Sequence, residues 1–221
     1  NIKYRMSGTI ENKYKYYFKQ MREDATMLTF RLDFRNKGHV ARRTSGLVQT
    51  DQLDMAFIEY FAPATAASEG DFDRLFVPFR CVATDARNRR EVVFRSGDLG
   101  KAVRSSMTIP LVFKPVRADS SLFYDGGIFN NFPWQPLVED FSPDILIGSK
   151  CVETRENPDE NSMIDQVFAV TMLHTEYNLP RTTDIMIDRI LDNVSMMDFD
   201  KAALVIEIGY QDAMTKMDGI K

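Results

Sequence analysis

The spacing of apolar positions along the chain changes from a period of two to helical spacing and back, so it predicts strands and helices in alternation. Over residues 12–35, Tyr14, Tyr16 and Phe18 alternate with Lys13, Lys15 and Lys19, and Leu28, Phe30, Leu32 and Phe34 alternate with Thr29, Arg31, Asp33 and Arg35. That period belongs to a hairpin with one wet face, whose basic side chains would also protect an exposed edge. An aromatic and basic surface laid on a membrane is the alternative to an ordinary half-buried hairpin. Residues 36–49 carry no periodicity and are expected to be loop. Thr50 or Asp51 caps a helix with the stripe Leu53, Ala56, Phe57, Tyr60 and Phe61, ended or bent by Pro63.

From Leu75 to Thr84 the large apolar residues are nearly continuous, as in a strand covered on both faces. A turn over Asp85–Arg90 returns the chain through Val92-Val93-Phe94, and Asp98 caps a short helix running to Ser106. Val116–Ala118 and Leu122–Tyr124 form a second hairpin that ends at Asp125. A helix over Trp134–Asp140 has Pro133 suited to its start. A short apolar strand follows at Asp144–Gly148, then an acidic loop from Glu153 to Asn161 containing Pro158. A helix over Met163–His174 and a strand over Ile185–Ile190 come next. The last predicted helix, Asp200–Met217, has Ala203, Ile206, Tyr210 and Met214 on one face. Short apolar strands alternating with helices predict an α/β protein, a three-layer α/β/α sandwich preceded by the hairpin. Residues 1–49 are expected to be the hairpin and a loop insertion, and 50–221 the α/β part of one domain.

Composition narrows the function classes. A chain of 221 residues, 44% hydrophobic and 27% charged, is long enough to bury about 70% of its unfolded surface. Its net charge of -4 argues against nucleic acid as a partner bound through phosphate neutralisation. The basic clusters at Arg42-Arg43 and Arg87-Asn88-Arg89-Arg90 fall where loops are expected. No apolar run reaches the 18 or so residues of a membrane-spanning helix, and no signal peptide pattern is present. Because the first residue is Asn1 rather than Met, the start of the chain is expected to be a processing site or a chosen boundary. Cys81 and Cys151 sit in apolar segments and read as small buried hydrophobes, with a disulfide between them left open.

The candidate chemistry centres on Leu122-Phe123-Tyr124-Asp125-Gly126-Gly127. A strand delivers one carboxylate onto a turn without Cβ atoms for two residues, and such a turn lets a backbone or substrate approach Asp125. The competing reading is that Asp125 only shapes its turn, since Asp-Gly is a common turn pair. Zinc spacing, Walker loop and dinucleotide fingerprint are all missing, so no cofactor is expected. A metal site on Asp125 and Asp119 has no supporting spacing. Of the two histidines, His39 lies in a loop and His174 at a helix end. A Ser-His-Asp triad would have to use one of them.

Three stretches carry a resemblance. Leu75-Phe76-Val77-Pro78-Phe79-Arg80-Cys81-Val82-Ala83-Thr84-Asp85 resembles the central strand of patatin-like phospholipases. Arg104-Ser105-Ser106-Met107-Thr108-Ile109-Pro110, followed by Phe113-Lys114-Pro115, is similar to that family's Arg-Ala-Ser-x-x-x-Pro segment. Asp125-Gly126-Gly127 with Asn131 and Pro133 matches its Asp-Gly-Gly-x-x-x-Asn-x-Pro motif. Phe18-Lys19 and Ile206 to Gln211 look like the Bacteroidetes form, less specifically. The resemblance implies a lipolytic acyl hydrolase with a Ser-Asp dyad. Its serine sits on a Gly-x-Ser-x-Gly elbow, and a glycine-rich loop supplies the oxyanion hole. Asp125 would then be the catalytic base, which needs no histidine. Asn131 would brace the Asp125 turn, and Arg104 to Pro110 would form wall rather than chemistry.

The sequence departs from the family at one point. Ser45, Ser96, Ser105 and Ser149 each lack flanking glycines, and no Gly-x-Ser-x-Gly occurs. In the family the elbow and oxyanion loop precede every motif quoted above. The chain is therefore expected to be the C-terminal part of a patatin domain, inactive alone, with the nucleophile outside it. The apolar surface and sheet edge left uncovered are expected to take a partner, a further copy or the missing part. The expected substrate is a phospholipid or other acyl ester, met at a membrane surface. Some relatives join this domain to a membrane barrel, which would place the parent in a bacterial cell envelope. The alternative class is a non-catalytic patatin-fold module that binds lipid or protein. An intact upstream elbow would separate the two, and loss of activity on replacing His174 would instead reveal a triad.

Overall fold

The computed structural model describes residues 30–32, 41–43, 50–118, 120–150, 163–171, 175–188, 194 and 199–220. Most of the expected 12–35 hairpin, the acidic loop, both histidines, Asp119 and Cys151 lie outside them. The chain divides into two compact units, Asn1–Phe129 and Asn130–Lys221. Helices combine with a mainly antiparallel sheet, and the protein is of the α/β class.

In the first unit, β1 (Phe30–Leu32) pairs antiparallel with β2 (Ala41–Arg43). The strand at 41–43 falls where the lack of periodicity predicts loop, because three residues are too few to display a period of two. Four strands make the main sheet: β3 (Cys81–Asp85), β4 (Arg90–Phe94), β5 (Val116–Ala118) and β6 (Ser121–Asp125), in the order β4-β3-β6-β5, all antiparallel. Every residue of β3 is buried, the polar Thr84 and Asp85 at its end included. The run from Leu75 to Arg80 does not join this strand. Pro78 has no N–H to give a ladder, and the Phe79 N–H turns back to the Phe72 carbonyl at 3.2 Å. Phe76 is left fully exposed, with Val77 exposed beside it.

Helix α1 (Asp51–Ala67) runs through Pro63 instead of stopping there. The carbonyl freed by Pro63 is a local loss, and the helix continues with the Thr65 hydroxyl donating to the Phe61 carbonyl at 3.0 Å. Its buried side is Gln52, Leu53 and Ala56, whereas Tyr60, predicted on the inward stripe, is 66% exposed. Helix α2 (Leu99–Ser106) starts as predicted. The Asp98 carboxylate accepts the Lys101 N–H at 2.9 Å, and the Leu99 N–H finds the Thr65 hydroxyl at 3.2 Å, so two orphan donors of the first turn are satisfied. Helix α2 packs between α1 and the sheet. Phe72, Cys81, Leu99 and Ala102 form the core there, with Phe61, Ala64, Leu75, Phe79, Phe94 and Val103 against it.

In the second unit, α3 (Gln135–Phe141) has Pro136 rather than Pro133 in its first turn and Trp134 at the cap. It ends at Ser142 in the left-handed conformation, φ 45°. Strand β7 (Ile147–Ser149) pairs in parallel with β8 (Ile185–Ile187), and α4 (Met163–Thr171) lies between them in sequence. The strand predicted at Asp144–Gly148 is shifted toward Ser149, and Ile145 and Ile147 are exposed. The last long helix is α5 (Ala202–Thr215), followed by α6 (Met217–Ile220). On α5 the predicted face of Ala203, Ile206, Tyr210 and Met214 is exposed. Spacing fixes which residues share a helix face but not whether a neighbour covers it.

Candidate active site

Asp125 is the last residue of β6, opposite Ala83 of β3, with Thr84 opposite Tyr124 and Asp85 opposite Phe123. Beyond it the chain winds into one tight turn, Gly126–Ile128. The Asp125 carboxylate caps that turn, Oδ1 accepting the Gly127 N–H at 2.8 Å. Gly126 is required here by close approach: a Cβ would lie 2.3 Å from the Val82 carbonyl oxygen and 2.7 Å from its carbon. No Cβ survives at such distances from backbone, so the turn can lie on β3 only with glycine at this position.

Both main-chain polar groups of Asp125 are tied to threonines. Its N–H donates to the Thr108 carbonyl at 2.8 Å, and its carbonyl accepts the Thr84 hydroxyl at 2.8 Å. Burial pushes the Asp125 carboxyl above the usual carboxylate range, and the Gly127 N–H opposes that only in part. Cys81 lies in the same neighbourhood, its Sγ 3.3 Å from the Ala102 carbonyl. Its thiol is pushed up by burial and by the Asp125 charge, against a hydrogen bond with Ser106. A thiol held protonated is a poor nucleophile.

Of the serines weighed from sequence, Ser105 is buried, and its hydroxyl donates back into the helix to the Lys101 carbonyl at 2.7 Å. Ser45 lies outside the described residues. Asn131 belongs to the second unit, where its N–H donates to the Thr175 hydroxyl at 3.1 Å and its amide to the Tyr177 hydroxyl at 3.0 Å. Pro133 precedes α3 in that unit. Among the described residues, no group of three or more His, Cys, Asp or Glu could hold a metal ion, and no helix is long and apolar enough to cross a membrane.

Thr84 and Thr108 hold Asp125 yet stand out in no pattern of apolar positions. Arg104 and Thr108 do carry a signal, since four residues apart at a helix end they can meet. Asp85, at the far end of β3, is a structural carboxylate. It is 3% exposed and accepts the Arg87 N–H, the Asn88 N–H and the Asn88 amide, the last at 2.6 Å. Burial would raise its pKa, but these bonds and one with Ser121 outweigh it and hold the carboxyl low.

A family model described as Patatin-like phospholipase matches residues 8–138. Over 66 residues the chain is 38% identical to an uncharacterized NTE family protein of Mycobacterium bovis, a match covering 30% of this chain and 18% of that protein. Over 72 residues it is 35% identical to the lysophospholipase NTE1 of Cryptococcus neoformans, covering 33% of this chain and 4% of that protein. The chain thus spans less than a fifth of the length of these curated relatives.

Proposed function

The chain belongs to the patatin-like phospholipase family, a family of lipid hydrolases, and from that premise we propose that Asp125 is the base of a Ser-Asp dyad that hydrolyses acyl esters of lipids. The observation that carries the reading is the state of Asp125. Its carboxylate sits at a strand end beside a turn that admits close approach, and burial has raised its pKa. Among the described residues its carboxylate accepts one hydrogen bond, from the Gly127 N–H on Oδ1, which leaves Oδ2 for the proton of the nucleophile. A base whose pKa moves toward the working pH takes and returns a proton more readily than an ordinary carboxylate.

In this mechanism a serine hydroxyl gives its proton to Asp125 as its oxygen bonds to the ester carbonyl carbon. The carbonyl electron pair moves onto the oxygen. The tetrahedral intermediate collapses, the ester C–O bond breaks, and the leaving alcohol takes the proton back. Water then repeats the sequence on the acyl-enzyme. The serine is placed outside these 221 residues, on a Gly-x-Ser-x-Gly elbow, so the chain alone does not turn over.

Labelling by a fluorophosphonate probe tests this on the 221-residue chain and on a version extended upstream, each with Asp125→Asn beside it. The expected result is labelling of the extended protein alone, suppressed by Asp125→Asn. Labelling of the shorter chain on its own serines overturns the placement of the nucleophile. If neither form labels, a module that binds lipid or protein without hydrolysis replaces the enzyme reading.

A further inference from the structure

Arg104 has its side chain 7% exposed, and such a charge is kept inside a protein only with partners. Its Nε donates to Asp54 Oδ1 at 2.8 Å and its Nη1 to the Thr108 hydroxyl at 2.8 Å. The guanidinium lies 5.1 Å from the centroid of the Phe113 ring. Thr108 is fully buried. Its hydroxyl proton goes to the Arg104 carbonyl at 2.6 Å, so it donates and accepts against the same residue, and its orientation is fixed. The Thr108 carbonyl in turn receives the Asp125 N–H.

We infer that Arg104 is a positioning residue for Asp125, acting through Thr108 without touching the carboxylate. This rests on the assignment of Asp125 as base. Asp54 of α1 holds the guanidinium, the guanidinium holds the Thr108 hydroxyl, and Thr108 holds the main chain of Asp125 from the side away from β3. Thr84 holds the same residue from β3. The sheet ladder does not use the Asp125 N–H, because that donor is spent on Thr108. The height of the carboxylate above the strand end is therefore set by the α2 segment. Arginine suits the role for its shape: a planar fork reaches Asp54 and Thr108 at once, whereas a lysine ammonium has a single donor atom for both.

Two measurements test this. On the 221-residue chain, amide hydrogen exchange of Asp125 reports the bond to Thr108. On the extended protein, ester turnover reports the placement of the carboxylate. Arg104→Met and Thr108→Val should speed exchange at Asp125 and lower kcat about ten- to a hundredfold with KM within about twofold, as expected for a misplaced catalytic group. Thr108→Ser, which keeps the hydroxyl, should restore both. Arg104→Lys should recover little of either. Exchange and kcat unchanged in folded Thr108→Val and Arg104→Met proteins overturn the inference, as does loss in Thr108→Ser equal to that in Thr108→Val. Should Arg104→Met not fold, the Thr108 pair decides alone. If Asp125→Asn retains turnover, the base assignment fails by itself, and exchange at Asp125 still decides whether Arg104 sets its position.

Discussion

At Asp125 burial and ionisation pull in opposite directions. Its folded pKa is raised by burial, so the folded state favours the protonated form. A raised carboxyl contributes stability below its unfolded pKa and loses it as pH rises through the folded value. At neutral pH the ionised carboxylate is thus a net cost, one that the proposed role as base would account for. Asp125→Asn, which still accepts from Gly127, should raise the Tm at neutral pH while abolishing turnover in the extended protein. The gain should shrink as pH falls through the range where Asp125 protonates. A lower Tm at pH 7 would show that the carboxylate is not paying for burial. Gly126 meets a different constraint. Gly126→Ala drives a methyl into the Val82 carbonyl, a backbone group that cannot rotate away. The expected loss is about 2–3 kcal/mol by urea denaturation. An unchanged unfolding midpoint would place the turn farther from β3.

Among the elements, α2 and β3 bring the rest of the first unit to Asp125, and α2 does so from the side away from the sheet ladder. It packs on α1, β3 and β6, and its closing segment presents Thr108 to Asp125. Its start depends on Asp98, whose carboxylate takes the Lys101 N–H. Asp98→Ala removes that cap and should destabilise the chain by about 1 kcal/mol, with Asp98→Asn costing much less. Equal losses in the two variants would mean that the charge, not the hydrogen bond, supports the helix. The start of α2 was legible in the sequence because capping is local: Ser96-Gly97-Asp98 precede an apolar helical pattern within one turn. The course of the chain through Pro78 was less so. The apolar run from Leu75 to Thr84 reads as one strand, but only Cys81–Asp85 is laddered, to β4 along its length and to β6 over Ala83–Asp85.

For the whole molecule, charge and exposure decide how the chain answers to pH and to surface change. Asp85 carries the opposite sign to Asp125. Its carboxyl is held low by the Asn88, Ser121 and Arg87 bonds, so its contribution is present above the unfolded pKa and lost as pH falls through the folded one. Asp85→Asn should therefore lower the Tm at neutral pH, with the difference from the parent shrinking on acidification, the same trend as for Asp125→Asn but of inverted sign. On α5, Ile206 is 71% exposed. Ile206→Ser should move the stability of the chain by no more than about 0.5 kcal/mol, since it removes no buried surface, and a larger loss in thermal unfolding would mean that this face is covered.

The sequence by itself determined the class, the family and the place of Asp125 on a strand followed by glycines. These rest on local chemistry: a period of two, a nearly continuous apolar run, a capping aspartate and motifs written in consecutive residues. It also marked the hairpin of β5 and β6 and the return of β4 on β3, because short turns leave the chain little choice of partner. Only the tertiary structure decided that Gly126 lies against the Val82 carbonyl, that Thr84 and Thr108 hold the main chain of Asp125, and that Arg104 reaches Asp54. Those pairs are separated by up to 50 positions, and no local period encodes a contact between segments so far apart in the chain. For the same reason the apolar face of α5 could be drawn from spacing while its exposure could not, since burial belongs to a helix and its neighbours together.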